Sequence, residues 1–286
     1  MNADSGTPTV ATSGWPLWRR QVTSMLGLEL RKTFLRGKAI PIWIVAFAPA
    51  LLLLLRALIA SRDSHVNPIG AVGMARSFAV VFQGFYLRGV VYFGCVMIFT
   101  YLFRGEVLEK SLHFYWLAPM RRSVFFVGKY VAGLLAAIAV FAGGVALQVL
   151  LAFLPGSTEG GRAYLLSGPG LGQLGAYLLT TALACAAYGA IFLCVSLYLR
   201  NPMIPAALLF GWEWLNFLLP PNLKRISVVH YLQSLCPVPV SEGPLALPAE
   251  PVPAWIAIAV LLALSAALVA LGARRAGRIE IAYAGD

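Results

Sequence analysis

The chain has 286 residues, 60% of them hydrophobic and 12% charged, with a mean hydropathy of +0.80. Soluble domains carry about 25% charged residues, so this composition excludes a water-soluble globular protein and leaves almost no polar domain to hold chemistry. The net charge of +11 and pI of 9.8 come from basic residues scattered at segment ends, without the aromatic-interleaved patch that would point to nucleic acid.

Residues 1–14 are small and polar and read as a disordered tail. They hold no apolar run after a basic region, so no secretory signal is expected. Residues 15–37 read as an amphipathic interfacial helix. Val22, Leu26, Leu30 and Phe34 recur at four-residue spacing, and Arg19, Arg20, Glu29, Arg31 and Lys32 take other positions. Such a helix lies in the headgroup plane with its basic residues near anionic lipid. A soluble helix packed on another subunit is the alternative.

Six apolar segments follow: Ile40–Ala60, Phe78–Phe103, Phe126–Leu154, Leu171–Leu199, Met203–Pro220 and Pro253–Ala273. A helix needs about 20 apolar residues to cross a bilayer. The predicted fold is therefore all-α, with six transmembrane helices over residues 40–273. In the second segment Gly84, Gly89 and Gly94 recur at five-residue intervals and permit close helix approach. Gly143-Gly144 and Gly189-Ala190 mark helix contacts in the third and fourth.

The connection Pro155–Gly170 is a loop rich in Gly, Ser and Pro. Arg200-Asn201-Pro202 makes a tight turn, with Pro202 and Pro205 suited to starting the fifth helix. In the outer connection 221–252, Ile226, Val229, Leu232 and Leu235 form a stripe that predicts a short helix dipping into the membrane. Pro237, Pro239, Pro244, Pro248, Pro251 and Pro253 then give a stiff return.

Basic residues set the orientation. If the spans alternate, Arg19, Arg20, Arg31, Lys32, Arg36, Lys38, Arg104, Lys110, Arg121, Arg122, Arg200, Arg274, Arg275 and Arg278 fall on one side. Arg62, Arg76, Arg162, Lys224 and Arg225 fall on the other. The positive-inside rule then puts both termini, including the tail 274–286, in the cytoplasm. Arg56 is expected to snorkel near the outer end of its span.

Little in the chain supports catalysis. His65, His113 and His230 lack metal-ligand spacing, and no Walker A loop, GxSxG or HExxH is present. Cys95, Cys185 and Cys194 sit inside spans and Cys236 outside, which reads as small apolar residues in packed helices. Two charges remain inside the membrane: Arg88 in the second span and Glu213 in the fifth. Each costs about 2.5–3.5 kcal/mol at a helix centre, so each is expected to face protein or water. They either pair with one another or line a polar path.

The cytoplasmic connection 104–125 is the most specific local feature. Glu106, Glu109 and Lys110 are expected on a short helix whose neighbouring face carries Leu108, Leu112 and Trp116. Pro119 ends it, and Arg121-Arg122 anchor the next span. A transverse helix with acidic and aromatic faces is suited to docking a partner.

The run Arg104-Gly105-Glu106, Glu109-Lys110-Ser111-Leu112, Leu117-Ala118-Pro119-Met120-Arg121-Arg122 and Gly128-Lys129 resembles the first cytoplasmic loop of type-2 ABC transporter permeases. The interfacial helix, the six spans and the short helices before the sixth are similar to that family too. The resemblance implies a permease subunit with no ATP site and no cofactor of its own, working as a homodimer or heterodimer among membrane lipids. Two separate ATPase subunits would bind ATP-Mg. Gly105, Glu106, Glu109, Lys110, Leu112 and Trp116 would form the coupling helix, and Arg200, Asn201 and Pro202 a second contact. The family expectation is export; the small-residue helices suit a hydrophobic or amphiphilic cargo and serve equally as plain packing surfaces, and the excess of arginine over lysine points to a bacterial cytoplasmic membrane.

Two other readings compete. An integral-membrane enzyme acting on lipid would need His, Asp or Glu clustered at one membrane face. A membrane scaffold would need neither a docking helix nor intramembrane charges. The docking loop and the two charges favour the permease.

Overall fold

The computed structural model describes residues 40–62, 69–108, 122–154, 158–199, 201–240 and 250–277. The tail 1–14, the interfacial helix expected over 15–37 and residues 278–286 lie outside them.

The described chain is built from helices. α1 is Ile40–Arg62 and α2 is Ala71–Val81. A π-helical stretch, Phe82–Val91, continues α2 into α3, Tyr92–Leu108. α4 is Arg122–Phe153, α5 Gly161–Leu166 and α6 Gly170–Tyr198. α7 is Met203–Trp214, followed by a 3-10 turn, Leu215–Leu218. α8 is Pro221–Lys224, α9 Val228–Ser234 and α10 Ala254–Gly277. Five stretches are long and apolar enough to cross a membrane: Pro41–Ile59, Ala71–Leu102, Ser123–Phe153, Gly170–Tyr198 and Ala254–Gly277.

Two boundaries differ from expectation. The second span starts at Ala71, not Phe78, because Arg76 lies on an exposed helix face rather than in a loop. The fifth segment is shorter than a full span. Met203–Leu218 rises roughly 25 Å at helical pitch, against about 30 Å of hydrocarbon. Leu219 turns to extended backbone just before Pro220.

Two short strands, β1 at Ile69–Gly70 and β2 at Thr158–Glu159, pair in parallel, Ile69 with Thr158 and Gly70 with Glu159. The connections after α1 and α4 therefore meet at one end of the bundle, the strand end. Gln83 donates to the Val238 carbonyl at 2.8 Å, which ties the segment after α9 into the same half. At the opposite end, the loop end, Lys129 of α4 reaches Leu102 of α3, and Arg275 of α10 lies 5.6 Å from the Tyr198 ring of α6. The spans alternate as their connections require.

α6 is the most buried span and packs along α3, α4 and α10. Its small residues Ala184, Ala187, Gly189 and Ala190 let neighbours approach. A Cβ at Gly189 would collide with the tip of the Phe99 ring, which packs against the bare backbone. Gly94 and Gly144 also meet neighbours, Phe141 and Tyr86, whereas Gly84, Gly89 and Gly143 face open space. Small residues thus mark contacts at some of the expected positions and not at others. α1 is the least buried span: Leu51, Leu52, Leu55 and Leu58 point outward along it. Arg56, half-buried in α1, donates to Met74 Sδ at 3.7 Å.

Candidate functional site

Glu213 sits near the end of α7 and is 2% exposed. Its carboxylate is spent on backbone. Oε1 accepts from the Val228 amide at 3.0 Å; Oε2 accepts from the Val229 amide at 2.9 Å and from the Ser227 hydroxyl at 2.7 Å. The Tyr188 hydroxyl of α6 approaches Oε2 at 3.5 Å. These amides are the first of α9, whose own Ser227 makes no side-chain cap. A carboxylate from another helix therefore does the work of an N-cap, satisfying donors that a helix start leaves open.

This contact explains the fold-back after α7. From Glu213 the chain rises through the 3-10 turn, reverses at Leu219-Pro220, and returns to the depth of Glu213 by Ser227. The stripe expected as one helix is accordingly split. α8 and α9 are separated by Ser227 in extended conformation. Val229 and Leu232 are buried, and Ile226 is 69% exposed because it lies in the break.

Arg88 lies on the π-helical stretch, buried, with Nη1 donating to the Trp214 carbonyl at 3.4 Å. It stands within electrostatic range of Glu213. The two charges thus come into one region, Arg88 bonding the carbonyl of the residue after Glu213, while the shortest hydrogen bonds of the carboxylate go to the start of α9. Among the buried polar groups not singled out in the sequence, three carry side-chain amides. Asn216, in the 3-10 turn, is 1% exposed, and neither amide atom has a hydrogen-bond partner among the described residues. Gln83 holds Val238, and Gln148 is buried in α4. Ser227 directly before an apolar run was the readable signal, since Ser at that place starts helices.

At the loop end the expected docking helix begins differently. α3 continues through Arg104, Gly105 and Glu106 to Leu108, and α4 starts at Arg122. Residues 104–108 and 122–125 are thus helix ends rather than loop. The apolar run of the span continues helically across Gly105, which a helix tolerates. Glu109, Lys110, Leu112 and Trp116 lie outside the described residues. So does Arg200, while Asn201 Oδ1 accepts from the Met203 amide at 3.3 Å and Pro202 is buried at the start of α7.

Lys129 is fully buried. Its ammonium donates to the Leu102 carbonyl at 2.7 Å and lies 5.0 Å from the Phe125 ring centre. It belongs to the Gly128-Lys129 pair that closes the loop motif. Among the described residues, no group of three His, Cys, Asp or Glu side chains is placed to hold a metal ion. Cys236, at the strand end, is half-buried by the packing of α9, and burial pushes its thiol pKa up to about 12.

Among the described residues, five apolar helices of spanning length, with a shorter sixth beside them, define a polytopic integral membrane protein. The model of the ABC-2 family transporter proteins matches residues 29–211, and the chain belongs to that family. The matched region runs from before α1 into α7 and contains the loop 109–121. Membership makes the chain a permease, a transport component rather than a catalytic enzyme, and implies an associated ABC ATPase. A search of curated proteins finds no match to the chain.

Proposed function

We propose that the chain is the permease subunit of an ATP-driven exporter of a hydrophobic or amphiphilic substrate, in the cytoplasmic membrane of a bacterium with both termini inside. The family match across the loop between α3 and α4 carries this reading. Two permease copies pair, and two ATPase subunits that bind ATP-Mg dock on Gly105, Glu106, Glu109, Lys110, Leu112 and Trp116. Asn201 and Pro202, with Arg200, give the second contact. Closure of the ATPase pair then pushes on both contacts and tilts the permease halves. The buried polar groups support transport over catalysis. Glu213 is committed to the start of α9, and Lys129 and Arg88 donate to backbone carbonyls.

The test is affinity purification of the tagged chain from its native membranes. An ATPase subunit should come with it, and the eluate should hydrolyse ATP. Glu109→Arg should leave the permease in the membrane and strip the ATPase away. Purification of the chain with no ATPase overturns the reading.

A further inference from the structure

The roots of the loop 109–121 are joined more tightly than a connection between two spans requires. A buried Lys129 on one root bonds a backbone carbonyl of the other, Leu102. One turn further along α4, Gly133 gives the two helices no space, since a Cβ there would collide with Leu102 and Phe99. The same first turns of α4 are also seated on α10. Phe126 is 1% exposed and lies against the bare backbone of Gly272, where a Cβ would strike the ring. Bulky side chains on glycine backbone leave no clearance for sliding, because packed interiors are dense and yield little. A buried ammonium holds its hydrogen-bond partners firmly, because burying a charge is costly unless it is hydrogen-bonded.

We propose that Lys129 is a positioning residue for coupling: with the Phe126–Gly272 contact it makes the loop-end turns of α3, α4 and α10 one body, so that a push on the loop 109–121 reaches α10 directly. This rests on the permease reading above. α10 follows the loop by more than a hundred residues in the chain and is its mechanical neighbour in space. The decisive measurement is transmission from the loop roots to α10.

The experiment uses the complex of the chain with its co-purified ATPase, with and without ATP and vanadate. Hydrogen exchange is followed by mass spectrometry in peptides from the loop roots and from α10. In the wild type, trapping should change exchange in both regions by threefold or more. Lys129→Met should hold the same amount of ATPase and keep the loop-root response, while the α10 response drops to under a third. Lys129→Arg, which keeps a donor, should restore at least half. Gly272→Ala cuts the second joint and should lose the α10 response even if Lys129→Met folds poorly. A role in stability alone would lower the yield and melting temperature of the variants and leave the α10 response of the assembled fraction unchanged. That result overturns the inference. A wild-type complex that responds at the loop roots and not in α10 also overturns it, with the permease reading intact. Failure of any ATPase to co-purify is failure of the permease reading itself.

Discussion

At the scale of single residues, Glu213 makes the clearest demand. Three donors lie within 3.0 Å of its carboxylate, which is 2% exposed. Glu213→Ala should therefore cost about 3 kcal/mol or more, since it strands the Ser227 hydroxyl and two amides. Glu213→Gln should cost about 1–2 kcal/mol, because the amide keeps one acceptor and turns a donor toward donors. Thermal unfolding in detergent should rank wild type above Gln above Ala; equal midpoints would remove the capping role. Cys236 gives a second check. Its thiol rises from an ordinary 9.0 to about 12, so the thiolate at pH 7.5 is about a thousandfold scarcer than for a free thiol. Labelling by maleimide should stay slow as pH rises toward 9 and become fast once the protein is unfolded in detergent at the same pH. Rapid labelling of the folded chain would contradict its burial. The charges at Arg88 and Glu213 were legible in the sequence because ionised groups are costly in an apolar segment. The partners of Glu213 were not, because they are backbone amides, and every residue except proline has one.

At the scale of elements, the long spans were readable and the interruptions were not. Hydropathy measures how far an apolar run extends. It does not register that α7 gives way to a 3-10 turn at Leu215, nor that a carboxylate draws the next segment back down. The π-helical stretch is similarly silent, since its apolar residues satisfy any helical pitch. The docking helix was read from its charges and aromatics, and most of it lies outside the described residues. The exposed faces lead to a prediction. Leu52 of α1 is 68% exposed and Leu208 of α7 is 73% exposed, whereas Ala46 and Ala206 on the same helices are buried. If α1 and α7 form the seam between two permeases, single cysteines at Leu52 or Leu208 should cross-link two chains in native membranes. Cysteines at Ala46 or Ala206 should not. Cross-linking without this alternation, or none with the ATPase present, argues against the seam.

For the molecule as a whole, the pairing of β1 with β2 fixes that two connections share one end, and the orientation proposed above, with the loop end in the cytoplasm, rests on the distribution of basic residues. A cysteine at the exposed Glu159 should react with a membrane-impermeant maleimide added to whole cells, and one at Met120 should react only after the membrane is opened. The reverse outcome would invert the orientation. Four of the hydrogen bonds that cross the bundle share a form with a consequence for how the protein tolerates change. Tyr86 donates to the Phe141 carbonyl, Tyr92 to Ala206, Tyr130 to Ala186 and Lys129 to Leu102. Each bond has a side chain at one end only. Mutational sensitivity should therefore be lopsided: Tyr92→Phe loses a buried bond worth about 1 kcal/mol, while Ala206→Ser keeps the acceptor untouched. A deep mutational scan should find the donors intolerant and their acceptor positions free in polarity, limited by size alone. Sequence drift at the acceptors then leaves no compensating change at the donors, so relatives can keep these bonds while the paired positions carry no shared signature.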